Sequence, residues 1–190
     1  YGFFCGDPVT VEGKKKTEKS DLVIPKKGTE LSTYFALRER ESGEEISFDE
    51  DSLVLTEKMA DNLDVRPGDK VTFRLNSGRE GSAVVTDVAE NYVASTVYMS
   101  PQIYQDIFSR TPEYNIIYIK SEDKELAEDL LRHDSVTYAL STETVKKNFQ
   151  DSVKSIDYII LVLIITAGVL AIIVLYNLTN VNIRERIKEL

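Results

Sequence analysis

Residues 159–175 read IILVLIITAGVLAIIVL, and thirteen of these seventeen positions are Ile, Leu or Val. No charged side chain falls between Asp157 and Arg184. From Tyr158 to Tyr176 the run has 19 residues, about 28 Å as a helix, which matches one hydrocarbon core. At roughly 0.3–0.6 kcal/mol for each Ile, Leu or Val, insertion is favoured by about 4–8 kcal/mol as an upper estimate. The helices of soluble cores are seldom apolar all round for so many turns, so the run predicts a transmembrane helix over 156–183. Tyr158, Tyr176 and Asn177 fall where a membrane interface would lie. Charged residues follow the run, which excludes a cleaved lipid-anchor signal. The sequon Asn177-Leu178-Thr179 sits at the helix end and reads as a chance match.

The 190 residues carry a formal net charge of −9, and the charges from 156 to 190 cancel. The acidic excess therefore belongs to residues 1–155. Phosphate neutralisation needs Lys and Arg, so a nucleic-acid partner is not expected. The single cysteine, Cys5, rules out an internal disulfide and a Cys-based zinc site. The chain does not begin with Met, and its last residues continue a helical pattern, so a segment of a longer protein is expected. Basic residues flank the run equally, with Lys146, Lys147 and Lys154 before it and Arg184, Arg186 and Lys188 after it. Large domains can be translocated whatever their charge, so residues 1–155 are expected outside the cell membrane and RERIKEL inside.

Upstream, the pattern predicts an α+β fold: a small β-rich subdomain, a mixed α/β subdomain, then the membrane helix. Residues 1–52 are read as an unassigned N-terminal part, with 1–30 strand-poor apart from LVIP at 22–25. GKKKT at 13–17 lacks the preceding glycine of a phosphate loop and reads as solvated lysines. The acidic stretch 38–52 lacks calcium-loop spacing and reads as a solvated edge with a short strand at 46–48. Residues 53–155 are better organised. Thr56 is placed to cap a helix EKMADNL, in which Met59, Ala60 and Leu63 share a face. Arg66-Pro67-Gly68-Asp69 predicts a tight turn, with Pro presetting φ and Gly supplying a positive φ. Val71, Phe73 and Leu75 alternate with polar residues as a half-buried strand does. A hairpin loop at 76–79, return strands at 82–88 and 93–99, and a helix at 101–109 follow. Then come a strand at 114–120, a helix at 123–133 with Leu126, Leu130 and Leu131 inward, and a strand at 135–140. A helix from about Glu143, with Val145, Phe149 and Val153 at four-residue spacing, runs into the membrane span without a break.

No catalytic arrangement emerges. His133 is the only histidine, Cys5 has no activating partner, and no nucleophile elbow occurs. No cofactor or metal site is expected. After the span, Ile183, Ile187 and Leu190 recur at helical spacing, with opposite-charge pairs Glu185–Lys188 and Arg186–Glu189.

NLTNVNIRERIKEL at 177–190 resembles the cytoplasmic end of a membrane helix in ABC-transporter permeases of the FtsX-like, MacB-like family. There an Asn-containing exit leads to a charged stretch, here Glu185, Arg186 and Glu189. LVLTEKMADNLDVRPGDKVTF at 53–73 and VYMSPQIY at 97–104 are similar to that family's outer domain. The resemblance implies a permease subunit in the cell membrane that passes ATP-driven motion across it, in export or mechanotransmission. It implies a cytoplasmic ABC ATPase subunit as partner, which hydrolyses the ATP, and a second permease copy or homologue. Ile183, Arg184, Glu185, Arg186, Ile187 and Glu189 would then lie on the ATPase side. The alternative is a single-pass, membrane-anchored extracellular domain for ligand binding or adhesion.

Overall fold

The computed structural model describes residues 1–91, 95–123 and 125–188, and gives side-chain positions for these apart from 155, 181, 182 and 184–188. The chain divides into two compact units, Tyr1–Lys120 and Ser121–Leu190. The architecture is α+β: a curled, mostly antiparallel sheet with two short α-helices in the first unit, and a long apolar helix at the C-terminus.

Among its described residues the first unit carries nine strands: β1 (Gly2–Cys5), β2 (Pro8–Glu12), β3 (Thr17–Pro25), β4 (Leu53–Thr56), β5 (Lys70–Leu75), β6 (Glu80–Val84), β7 (Asp87–Ala89), β8 (Thr96–Met99) and β9 (Ile116–Tyr118). Its helices are α1 (Glu57–Leu63) and α2 (Pro101–Phe108). Hydrogen-bonded neighbours run β6-β5-β2-β3-β8-β4-β7, with β1 joining β3 to β9. The two ends of this path, β6 and β7, are consecutive in the chain and separated only by Val85 and Thr86. One bent segment thus pairs with β5 and then with β4, which curls the sheet into a barrel-like wall. Thr86 secures the switch, its hydroxyl exchanging hydrogen bonds of 3.0 Å with the Leu53 backbone.

Val9, Val11, Val71, Phe73 and Leu75 fill the interior from strands that alternate, while Leu22, Ile24, Leu53, Leu55, Val97 and Met99 fill it from the other side. On the opposite face of the same strands, Val23, Val54 and Tyr98 belong to a second cluster with Phe4, Leu31, Leu37 and Ala89. Strands β3, β4 and β8 are therefore buried on both faces, which explains why LVI, LVL and VYM are continuous apolar runs. Phe4, Phe35, Tyr98 and Tyr118 pack edge to face over this outer cluster.

Residues 1–30 depart from the strand-poor expectation. β2 and β3 pair from Pro8↔Asp21 to Glu12↔Thr17, and the lysine run is simply the loop between them. That loop sits against α1. A Cβ on Gly13 would lie 2.5 Å from the Leu63 carbonyl oxygen, so only glycine lets the backbone approach. Lys14 bonds Asp69 at 2.6 Å and Lys15 pairs with Asp64, holding both carboxyls below their ordinary range.

The expected helix, turn and strand at 57–75 are present, with Met59, Ala60 and Leu63 buried and Gly68 at φ 92°. Thr56 does not cap α1; its hydroxyl accepts the Thr96 N–H at 3.1 Å instead, tying β4 to β8. Ser100 caps α2 by accepting the Ile103 N–H at 3.1 Å. The expected strand at 46–48 is absent, and a single bridge joins Arg38 to Glu45. The strand expected at 93–99 is seen from Thr96, and residues 92–94 lie outside the described residues.

The second unit contains α3 (Leu126–Leu130) and α4 (Thr142–Lys188). The helix expected at 123–133 is shorter and has no buried residue, and Leu131 is exposed. The strand expected at 135–140 does not form. Val136, Tyr138 and Leu140 alternate, but no neighbouring strand pairs with them among the described residues, and Tyr138 and Leu140 are exposed.

Candidate functional site

Two features stand out, one in each unit. The first is α4, an unbroken helix of 47 residues, about 70 Å long at 1.5 Å per residue. Ser141 starts it, accepting the Thr144 N–H at 3.1 Å. From Tyr158 to Tyr176 its apolar side chains project outward all round, with Leu163, Ile164 and Leu170 each more than 60% exposed. Such exposure of Ile and Leu in water would be strongly unfavourable, and it is what a lipid-facing helix requires. Two threonine hydroxyls in the apolar stretch are satisfied internally, Thr166 donating to the Val162 carbonyl and Thr179 to the Leu175 carbonyl, each at 2.8 Å. Among the described residues, this is the one helix long and apolar enough to cross a membrane.

Tyr158, Tyr176 and Asn177 are exposed, the tyrosines spaced about 27 Å apart along the axis, one hydrocarbon thickness. Ile183 is exposed. The helical backbone continues through Arg184, Glu185, Arg186 and Ile187 to Lys188, whereas Glu189 and Leu190 lie outside the described residues. All of the expected membrane-facing and cytoplasmic positions up to Lys188 therefore belong to a single rod.

The second feature is a cleft of about 660 Å³ in the first unit. One wall is a strap formed by residues 37–46, in which Glu39 N–H bonds the Glu44 carbonyl and Ile46 N–H bonds the Leu37 carbonyl, each at 2.9 Å. The strap brings Glu39, Glu41, Glu44 and Glu45 to the cleft. Facing them are Glu57 at the start of α1, and Asp87 and Glu90 in and after β7. Arg40 crosses the cleft to Glu57 at 2.7 Å. The sequence singled out the acidic stretch but not the other three carboxylates, which come from separate elements with no shared spacing. No group of three or more His, Cys, Asp or Glu with metal-holding geometry occurs among the described residues.

Elsewhere two titratable groups are embedded in the packing. Cys5 is fully buried, and burial together with Asp7 pushes its thiol up to about 12, so it stays protonated. Tyr104, also buried, bonds Asp7 at 3.2 Å, and burial pushes its hydroxyl up to about 12. His133 is exposed.

No family model matches the chain, and no curated protein matches it. Among solved structures the chain is similar to the extracellular domain of a noncanonic ABC-type transporter, YknZ, from Gram-positive bacteria. The identity is 13%, the TM-score is 0.46, and 67% of each chain is covered.

Proposed function

We propose that this chain supplies the extracytoplasmic domain and a membrane-spanning helix of an ABC-transporter permease subunit, and that it transmits ATP-driven motion across the bilayer. The observation that carries this reading is α4, which runs from its Ser141 cap through the apolar span to Lys188 as one helix. A helix that continues through both membrane interfaces can pass a tilt or shift at one end to the other, because its backbone hydrogen bonds do not break along the way. The resemblance of 177–190 to the cytoplasmic exit of FtsX-like permeases supports the direction, with the charged end toward an ATPase. ATP hydrolysis belongs to that separate subunit. The bilayer and a second permease copy or homologue complete the assembly.

The acidic cleft favours a second reading, a membrane-anchored domain that binds a cationic ligand. The two readings separate at the cytoplasmic end. Ile183→Asp together with Ile187→Asp, in the full-length protein, is expected to lower co-purification of the ATPase or to uncouple its turnover by at least severalfold. Unchanged association and unchanged turnover would favour the anchored-domain reading.

A further inference from the structure

We propose that α4 pairs with α4 of a second copy of this chain, parallel to it and level with it, along one ridge that runs from Val145 through the membrane span to Leu178. This pairing rests on the reading of α4 as a helix that crosses the bilayer, and it needs no ATPase. Val145, Phe149, Val153 and Ile156 precede Tyr158, on the part of α4 outside the apolar span, and each is 45–69% exposed. At 3.6 residues per turn they fall within an arc of about 80°. The charged residues of the same stretch, Glu143, Lys146, Lys147, Asp151, Lys154 and Asp157, all fall outside that arc. A charge-free apolar ridge in water is unfavourable until something covers it.

The ridge does not stop at the membrane interface. Ile160, Leu163, Ala167, Ala171, Val174 and Leu178 return to the same arc. Lipid covers apolar side chains as well as protein does, so inside the bilayer the contact face is chosen by close approach. Ala167 and Ala171, four residues apart on this arc and both exposed, let two backbones come together. A second copy fits such a ridge. The bilayer holds two copies in one orientation and at one depth, so a two-fold pair sets each ridge residue against its own counterpart. On that axis a charge would face its like, and the arc carries none. Beside the ridge, Lys146 and Asp157 lie on one flank, Asn148 and Ser152 on the other. In a parallel pair each flank meets the opposite flank of its neighbour, so charged side chains meet neutral polar ones.

Cysteine cross-linking of the full-length protein in its native membrane tests this. Phe149→Cys lies on the ridge and Lys147→Cys on the far side of the helix. A disulfide needs Cα atoms within about 7 Å, so copper phenanthroline should give at least about fivefold more dimer with Phe149→Cys, each compared with the parent protein on non-reducing gels. Adding Ala171→Phe to the Phe149→Cys protein should lower the dimer severalfold by holding the backbones apart. Adding Val169→Phe, on the other side of the span, should leave it unchanged. Equal cross-linking at 147 and 149 would overturn the pairing, and so would indifference to Ala171→Phe. Alkaline extraction of the same variants reports the span separately. Absence of dimer from proteins that stay integral would therefore overturn the pairing and leave the membrane reading standing.

Discussion

With Ile165 and Leu170 both replaced by arginine, the chain will fail to insert stably into the membrane and will be recovered largely in the alkali-extractable fraction. The apolar run favours insertion by about 4–8 kcal/mol at most, and each central arginine costs about 2.5–3.5 kcal/mol. Two arginines thus cancel most or all of the driving force, whereas one leaves a residue of it. Both positions lie near the middle of the run and are exposed on α4, so no buried contact is lost when they change. Ile165→Leu with Leu170→Ile, which keeps the apolar content, should insert normally. Alkaline extraction of membranes followed by immunoblotting of the two fractions checks both variants. A double-arginine protein that remained fully integral would show that other segments hold it in the membrane.

Phe73→Ala will destabilise the first unit by about 3–5 kcal/mol, a large part of the roughly 5–15 kcal/mol that a domain normally has. Phe73 is fully buried in the barrel interior, on β5, and pairs across to Val11 on β2. Removing its ring leaves a cavity that the surrounding strands cannot easily collapse into, because they are fixed on both sides by the ladder. Thr72, the neighbouring residue, points the other way and exchanges a 3.0 Å hydrogen bond with Ser82. Thr72→Ala should cost no more than about 1 kcal/mol. The chain has no Trp, and seven of its ten tyrosines lie in the first unit, so near-ultraviolet dichroism during urea unfolding reports mainly that unit, while α4 dominates the far-ultraviolet signal. Equal losses for the two variants would place Phe73 outside the core.

The most legible parts of the fold are those with a single strong signal. The charge-free run from 158 to 183, the Met59, Ala60 and Leu63 face of α1, the Pro67-Gly68 turn and the alternation of β5 each satisfy one local rule, and each is present. Ser100 followed by Pro101 marks the start of α2 in the same way. The N-terminal strands were less legible because the lysines of 14–16 suggest solvent exposure, although they occupy only a hairpin loop. In β3, the second half is buried on both faces and so loses the alternation that marks a strand. SVTYAL at 135–140 erred in the other direction. It has the period of a strand, but a strand also needs a neighbour, and local sequence does not report one. The cleft was visible only in part. Glu39, Glu41, Glu44 and Glu45 are contiguous enough to be noticed, while Glu57, Asp87 and Glu90 reach them through the parallel pairing of β4 with β7. Charge sequence alone carries no trace of that pairing.

The claim beneath the functional reading is that α4 crosses the bilayer once and presents its two ends to opposite sides. Single cysteines at Thr144→Cys and Lys188→Cys, probed with a membrane-impermeant maleimide on intact cells, test it most directly. Cys5 is fully buried and protonated, so it contributes little background. The account predicts labelling at position 144 before permeabilisation and at position 188 only after it. Labelling of both positions from the same side, or of 188 alone in intact cells, would contradict it.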